Sequence, residues 1–114
     1  MDTNNKWNQI ENVLDNMGLK YSFGENAYIE FWTDKSGQNI PTEFNYDGTP
    51  EDFVAQFVEA AERYDVDTEV ELYVGMRGRN GVPNTIRELL DDCQEAKDTL
   101  IKIANRLQKA IEEV

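Results

Sequence analysis

The last thirty residues constrain the fold more than any other part of the chain. No glycine or proline interrupts Thr85–Val114. Ile86, Cys93, Leu100, Leu107 and Val114 are spaced by seven, and Leu89, Ala96, Ile103 and Ala110 follow the first four of these by three. That is an a/d seam over four heptads, widened by Leu90, Ala104 and Ile111, and a helix sets these positions on one side. Such a helix is about 45 Å long at ~1.5 Å per residue. A compact chain of this size has a radius of gyration near ~13 Å. The helix is therefore expected either to overhang its domain or to meet a partner helix. In one reading its first half packs on its own domain. In the other, its outer half joins a second copy through Leu100, Ile103, Leu107, Ala110 and Ile111.

The residues before this helix have to supply the rest of a core. At 114 residues, 39% of them hydrophobic and 11% aromatic, the chain is one globular domain. Trp7, Ile10, Val13, Leu14 and Met17 recur at helical spacing, and Gly18 stands where a helix C-terminal glycine would, which predicts a helix over about residues 3–17. Lys20–Phe23 and Ala27–Thr33 are aromatic and β-branched segments parted by Gly24-Glu25-Asn26, a hairpin pattern. Asp34-Lys35-Ser36-Gly37 is a second turn. Ile40, Thr42, Phe44 and Tyr46 then alternate with polar residues as a third strand, with Pro41 pointing to an edge.

Thr49-Pro50-Glu51-Asp52 starts a helix, with a hydroxyl N-cap, proline at the first position and acids in the first turn. Phe53, Val54, Phe57, Val58, Ala61 and Tyr64 give it a broad apolar face. Residues 65–76 fit two patterns. Val70, Leu72, Val74 and Met76 alternate as in a strand, while Asp67, Thr68 and Glu69 before Val70, Tyr73 and Val74 suit a short capped helix, the preferred reading. The expected class is α+β: an N-terminal helix, a three-stranded antiparallel sheet, one or two helices, and the long C-terminal helix. Within the domain, residues 1–74 form the compact acidic part, 75–84 a glycine-rich hinge and 85–114 the long helix.

Charge separates along the same boundary. The formal net charge is −12, with no histidine. Residues 1–74 carry four basic and sixteen acidic residues, a net of −12, while residues 75–114 carry seven of each and are neutral. An acidic surface repels nucleic acid and anionic lipid and attracts basic partners. Without histidine, Ser-His-Asp and Cys-His nucleophiles and the usual transition-metal ligand are absent. Cys93 is the single cysteine, so no internal disulfide forms and a reducing, cytoplasmic compartment is expected. No apolar run is long enough to span a membrane, and no secretory signal pattern is present. No cofactor is expected.

Two stretches invite a functional reading. In GMRGRNG, Gly75, Gly78 and Gly81 recur every third residue with Arg77 and Arg79 between them, just before a helix start. Backbone amides of such a turn can cradle phosphate. The lysine and Ser/Thr of a P-loop are missing, and no clear buried strand precedes it. Val74-Gly75-Met76-Arg77-Gly78 resembles the Gly-x-x-Gly loop of KH RNA-binding modules, a resemblance that implies a clamp on a nucleic-acid backbone. The net charge opposes direct nucleic-acid binding, and the simpler reading is a hinge whose arginines pair with neighbouring acids.

The second stretch is the acidic run Glu59, Glu62, Asp65, Asp67, Glu69 and Glu71. An EF-hand loop beginning at Asp65 would need glycine at position 70 and glutamate at 76, where Val70 and Met76 stand, so no metal site is expected. Paired carboxylates for acid–base hydrolysis would have to share a cleft, which no spacing here establishes. A solvated face is the simplest reading. Alternatively, closely spaced carboxylates on a helix and turn imitate a phosphate row and occupy a basic groove, with Trp32 or Tyr73 as aromatic contacts.

The order of helix, short antiparallel sheet and acidic helices, with the segment from Thr49-Pro50-Glu51-Asp52-Phe53 through Glu71, resembles small anti-CRISPR proteins that mimic DNA. Gly81-Val82-Pro83 to Leu90-Asp91-Asp92 resembles a helix start in small proteins of bacterial mobile elements. The resemblance implies a non-enzymatic inhibitor that presents its acids to the basic groove of a nucleic-acid-binding protein or CRISPR nuclease. A homodimerisation module acting through the long helix is the alternative.

Overall fold

The computed structural model describes residues 2–34, 37–79 and 82–112. Its elements run α1 (Asp2–Asn16), β1 (Lys20–Phe23), β2 (Asn26–Trp32), β3 (Asn39–Asn45), α2 (Pro50–Arg63), α3 (Val66–Tyr73), a 3-10 turn (Val74–Met76) and α4 (Ile86–Glu112). This is the expected α+β order, with boundaries within a residue or two.

Local chemistry explains the boundaries. Gly18, at φ +70°, ends α1 with the paired bonds of a Schellman motif: the Gly18 amide donates to the Asp15 carbonyl and the Leu19 amide to that of Leu14. At α2 the Thr49 hydroxyl accepts from the Asp52 amide, and Pro50 occupies the first turn, where its missing N–H costs nothing. Residues 66–73 are helix, and the cap is Asp65, whose carboxylate accepts from both the amide and the hydroxyl of Thr68. A side-chain cap fixes the first turn of a helix too short to hold itself. Thr85 caps α4 in the same way, accepting from the Glu88 amide.

The sheet is an antiparallel meander in the order β1-β2-β3. Its register aligns Phe23 with Ala27 and Ala27 with Phe44, so residues two apart from these face the core. Ala27, Ile29 and Phe31 on the central strand are buried. Pro41 lies on β3, an outer strand, where a residue with no N–H to donate is tolerated.

Phe53 of α2 sits at the centre of the core, fully buried among the rings of Trp7, Phe23, Phe44 and Tyr46 at centroid distances of 5.1 to 5.6 Å. One residue thus joins α1, β1, β3 and α2, with tilted and edge-on ring contacts that exceed simple area burial.

The long helix corrects one expectation. Leu100, Ile103 and Leu107 are 2%, 0% and 0% exposed, inside the same core as α1, α2 and the sheet. Ala110 is buried and Ile111 packs against that core. The half of α4 expected to reach outward for a second copy is covered by its own chain. The molecule is elongated and not spherical, measuring 50 × 24 × 20 Å with a radius of gyration of 15.1 Å. Its long axis accommodates α4, which packs along α1, α2 and α3 in turn.

The first turns of α4 take part in a second, smaller cluster. Val82, Leu89 and Cys93 are buried there, with Val66, Val70 and Tyr73 of α3 packed against them. No helix among the described residues is long and apolar enough to cross a membrane.

Candidate functional site

The six carboxylates of the acidic run form a corner where α2 ends and α3 begins. They do not act alike. Glu59 pairs with Arg63 one turn away, at 3.4 Å. Asp65 is held by Thr68 as the α3 cap, and those hydrogen bonds pull its pKa below the ordinary aspartate value. Glu62, Asp67 and Glu71 are exposed, and their carboxylates take no ion pair or hydrogen bond among the described residues. Asp67 and Glu71 lie one turn apart on α3, about 5–6 Å between Cβ atoms. Beside them Leu72 is 63% exposed and Met76 38%. Glu69 turns the other way, half-buried toward α4.

Of the two aromatics considered for contacts, Trp32 is 45% exposed, with the Lys20 ammonium 5.2 Å from its ring centre. Tyr73 packs into the smaller cluster.

The described part of the glycine loop is an exposed, hydrogen-bonded turn. Gly78 adopts φ +78°, and its amide donates to the Val82 carbonyl at 3.0 Å and that of Pro83 at 3.3 Å. The Arg79 amide donates to Met76, and the Val82 amide to Arg79. The Gly78, Arg79 and Val82 amides are thus engaged by carbonyls of the loop and its exit, and Thr85 caps the N-terminus of α4. Arg77 pairs with no acid among the described residues, and its Nε donates to the Val74 carbonyl at 3.0 Å. Gly75 is in the 3-10 turn, and Gly81 lies outside the described residues.

The structure also brings together residues that are far apart in sequence. A pocket of about 200 Å³ opens between β3, the end of α2, α3 and α4. Its polar lining includes Glu69 of α3, Asp92 of α4, Tyr64 at the end of α2, and Gln38 before β3. Ile40, Val82 and Leu89 are among its apolar walls. Asp92 is 3% exposed. Burial raises the Glu69 pKa, and Asp65 nearby adds to the rise. Burial likewise raises Tyr64 and the Cys93 thiol, which lie side by side in the lining. The Gln38 Oε1 is fully buried and has no hydrogen-bond partner among the described residues.

This pocket was not legible in the sequence. Glu69 reads as one more member of an acidic run, and Asp92 as part of a charge-balanced helix. The available signal was that Asp92 flanks the a-position Cys93 on the apolar side of its helix. On the exposed side of α4, Asp91, Glu95 and Asp98 recur at i, i+4 and i+7 beside Lys102 and line a shallow hollow. Among the described residues, no group of three or more Cys, Asp or Glu side chains is placed to hold a metal ion.

No protein-family model, curated protein or solved structure matches the chain.

Proposed function

We propose that the protein is a non-enzymatic interaction protein whose acidic corner enters the basic groove of a nucleic-acid-binding protein, as acidic DNA mimics do. The observation that carries this reading is the triplet Glu62, Asp67 and Glu71. These carboxylates are exposed, unpaired among the described residues, and borne on two capped helices. A helix already formed loses little further backbone freedom on binding, and its carboxylates attract arginine and lysine over a distance. Leu72 and Met76 beside them add an apolar contact, which fits a protein groove better than it fits solvent. The resemblance to acidic anti-CRISPR proteins makes a bacterial CRISPR nuclease a candidate partner.

The test begins with capture of partners from a bacterial lysate on the immobilised chain. The captured protein should be released by added salt and should be displaced by duplex DNA. The combined variant Glu62→Lys, Asp67→Lys and Glu71→Lys should capture none of it. A partner that resists salt, tolerates the triple reversal and binds DNA and the chain together would rule the reading out.

A further inference from the structure

Of the described helices, α3 is held least firmly. It has eight residues, too few for a helix to hold itself in water, and none of its side chains is buried. It packs on α4 and runs into the 3-10 turn, with no comparable contact to α1, α2 or the sheet among the described residues. The pocket of about 200 Å³ separates it from β3. Its apolar side chains Val66, Val70 and Tyr73 meet Val82, Leu89 and Cys93, a cluster apart from the main core.

Both ends of α3 carry a joint. Before it, Tyr64 and Asp65 are extended, at φ −65°, ψ 113° and φ −111°, ψ 117°. Lys97 holds the end of α2 to α4 just ahead of that joint. After α3 come Gly75 and Gly78, both exposed. The surface of α4 beneath is only partly covered. Ile86, Leu89, Leu90 and Cys93 share one side of α4 at helical spacing. Leu89 and Cys93 are buried, whereas Ile86 and Leu90 are 50% and 44% exposed.

We propose that α3 is a hinged flap that lifts from α4 as one unit, about Tyr64–Asp65 and the glycine loop, while α1, α2, α4 and the sheet stay folded. A sub-global opening costs less than global unfolding because it exposes less apolar surface. Here it exposes the small cluster and leaves the main core closed. Opening bares the strip from Ile86 to Cys93 as a continuous apolar face. It also carries Asp67 and Glu71 away from Glu62, which stays on α2, and so disperses the acidic triplet. The flap is inferred from burial and packing alone and holds whatever that triplet binds.

The test is hydrogen exchange of the full chain over a urea series below the unfolding transition, run beside labelling of Cys93 with an aryl disulfide reagent. Cys93 is the reporter because it is buried in the cluster that α3 covers. The amides of residues 70–73 and the Cys93 thiol should give opening constants that agree within about threefold and hardly change with urea. The amides of Ile103 and Leu107 should have opening constants at least about a hundredfold smaller, with a urea slope near that of global unfolding. Ile29→Val weakens only the main core. It should raise the Ile103 and Leu107 constants about fivefold and leave those of α3 and Cys93 unchanged. Asp65→Ala removes a cap that is lost in both kinds of opening, so it should raise all of these constants about fivefold. The proposal is overturned if residues 70–73 share the protection and urea slope of Ile103, or if Ile29→Val speeds both sets alike. It is equally overturned if Asp65→Ala leaves α3 unchanged, or if the Cys93 constant departs from that of residues 70–73 in either direction. A slower Cys93 would mean that α3 frays in place, and a faster one that the cluster is reached without lifting it.

Discussion

The ammonium group of Lys97, on α4, donates to the carbonyl oxygen of Ala61 and, at 3.2 Å, to that of Glu62 in the last turn of α2. Those carbonyls have no partner within their own helix, and the negative end of the helix dipole lies there. One side chain thus anchors the corner from which α3 departs to the long helix behind it. Lys97→Met keeps most of the aliphatic stem and removes the cation. It should lower stability by about 1–2 kcal/mol, read from the urea midpoint at unchanged slope. An unshifted midpoint would mean that water replaces the ammonium group without loss.

Leu107 tests whether α4 serves its own core. In the dimer expectation it lies on the seam with a second copy, whereas in the structure it is 0% exposed within its own core. Leu107→Ala should cost about 2–5 kcal/mol, through lost burial and the cavity left behind. Sedimentation should give the same mass for the wild type and for any folded fraction of the variant. A dimer that dissociates on this substitution would restore the outward-facing seam.

Most of the fold was legible because local signals agreed with tertiary ones. Thr49-Pro50 could only begin a helix, Gly18 could end one, and Pro41 needed an outer strand. Residues 66–73 were harder because their alternation suits a strand. The Asp65 carboxylate settled the choice by capping Thr68, an effect spread over three residues that periodicity does not register. What covers α4 stayed open between its own domain and a second copy, because heptad spacing reveals an apolar side but not what covers it. The acidic corner was visible as composition, yet only coordinates separate Glu69, turned inward, from Asp67 and Glu71, turned outward. The pocket depends on Gln38 meeting Asp92 across 54 positions of sequence, and no local pattern encodes that meeting.

Gly78 and Gly75 should respond differently to the same substitution. At Gly78 the backbone is left-handed, and an added Cβ would come 2.7 Å from the Asn84 Oδ1. Gly78→Ala should cost about 1–2 kcal/mol, part of it backbone strain and part the displacement of the Asn84 side chain. At Gly75 an added Cβ meets nothing within 4 Å, so Gly75→Ala should be neutral or slightly stabilising by reducing the freedom of the unfolded chain. Thermal melts of the two variants compare them directly. Equal losses would mean that the loop does not hold the turn seen here.

Glu69 gives the chain a pH dependence opposite in sign to that of its capping acids. Its folded pKa is raised above the ordinary value of 4.5, by burial first and Asp65 second. Its contribution to stability is therefore complete below that value and is lost as pH rises through the folded pKa. Asp65, Asp47 and Glu51 are shifted down by hydrogen bonds, so their contributions are present above the ordinary range and disappear as pH falls. Glu69→Gln isolates the first effect, because glutamine keeps the shape and cannot ionise. The groups around position 69 that could blur the comparison are Asp65 and Tyr64 at the helix junction, Tyr73 on α3, and Asp92 and Cys93 on α4. Tyr64 and Cys93 are shifted upward, so those two stay neutral across the acidic range. The urea midpoint of the variant, minus that of the wild type, should accordingly be more positive at about pH 7 than at about pH 4. A difference that is the same at both pH values, or larger in acid, would show that Glu69 ionises in the folded chain at least as readily as it does in water.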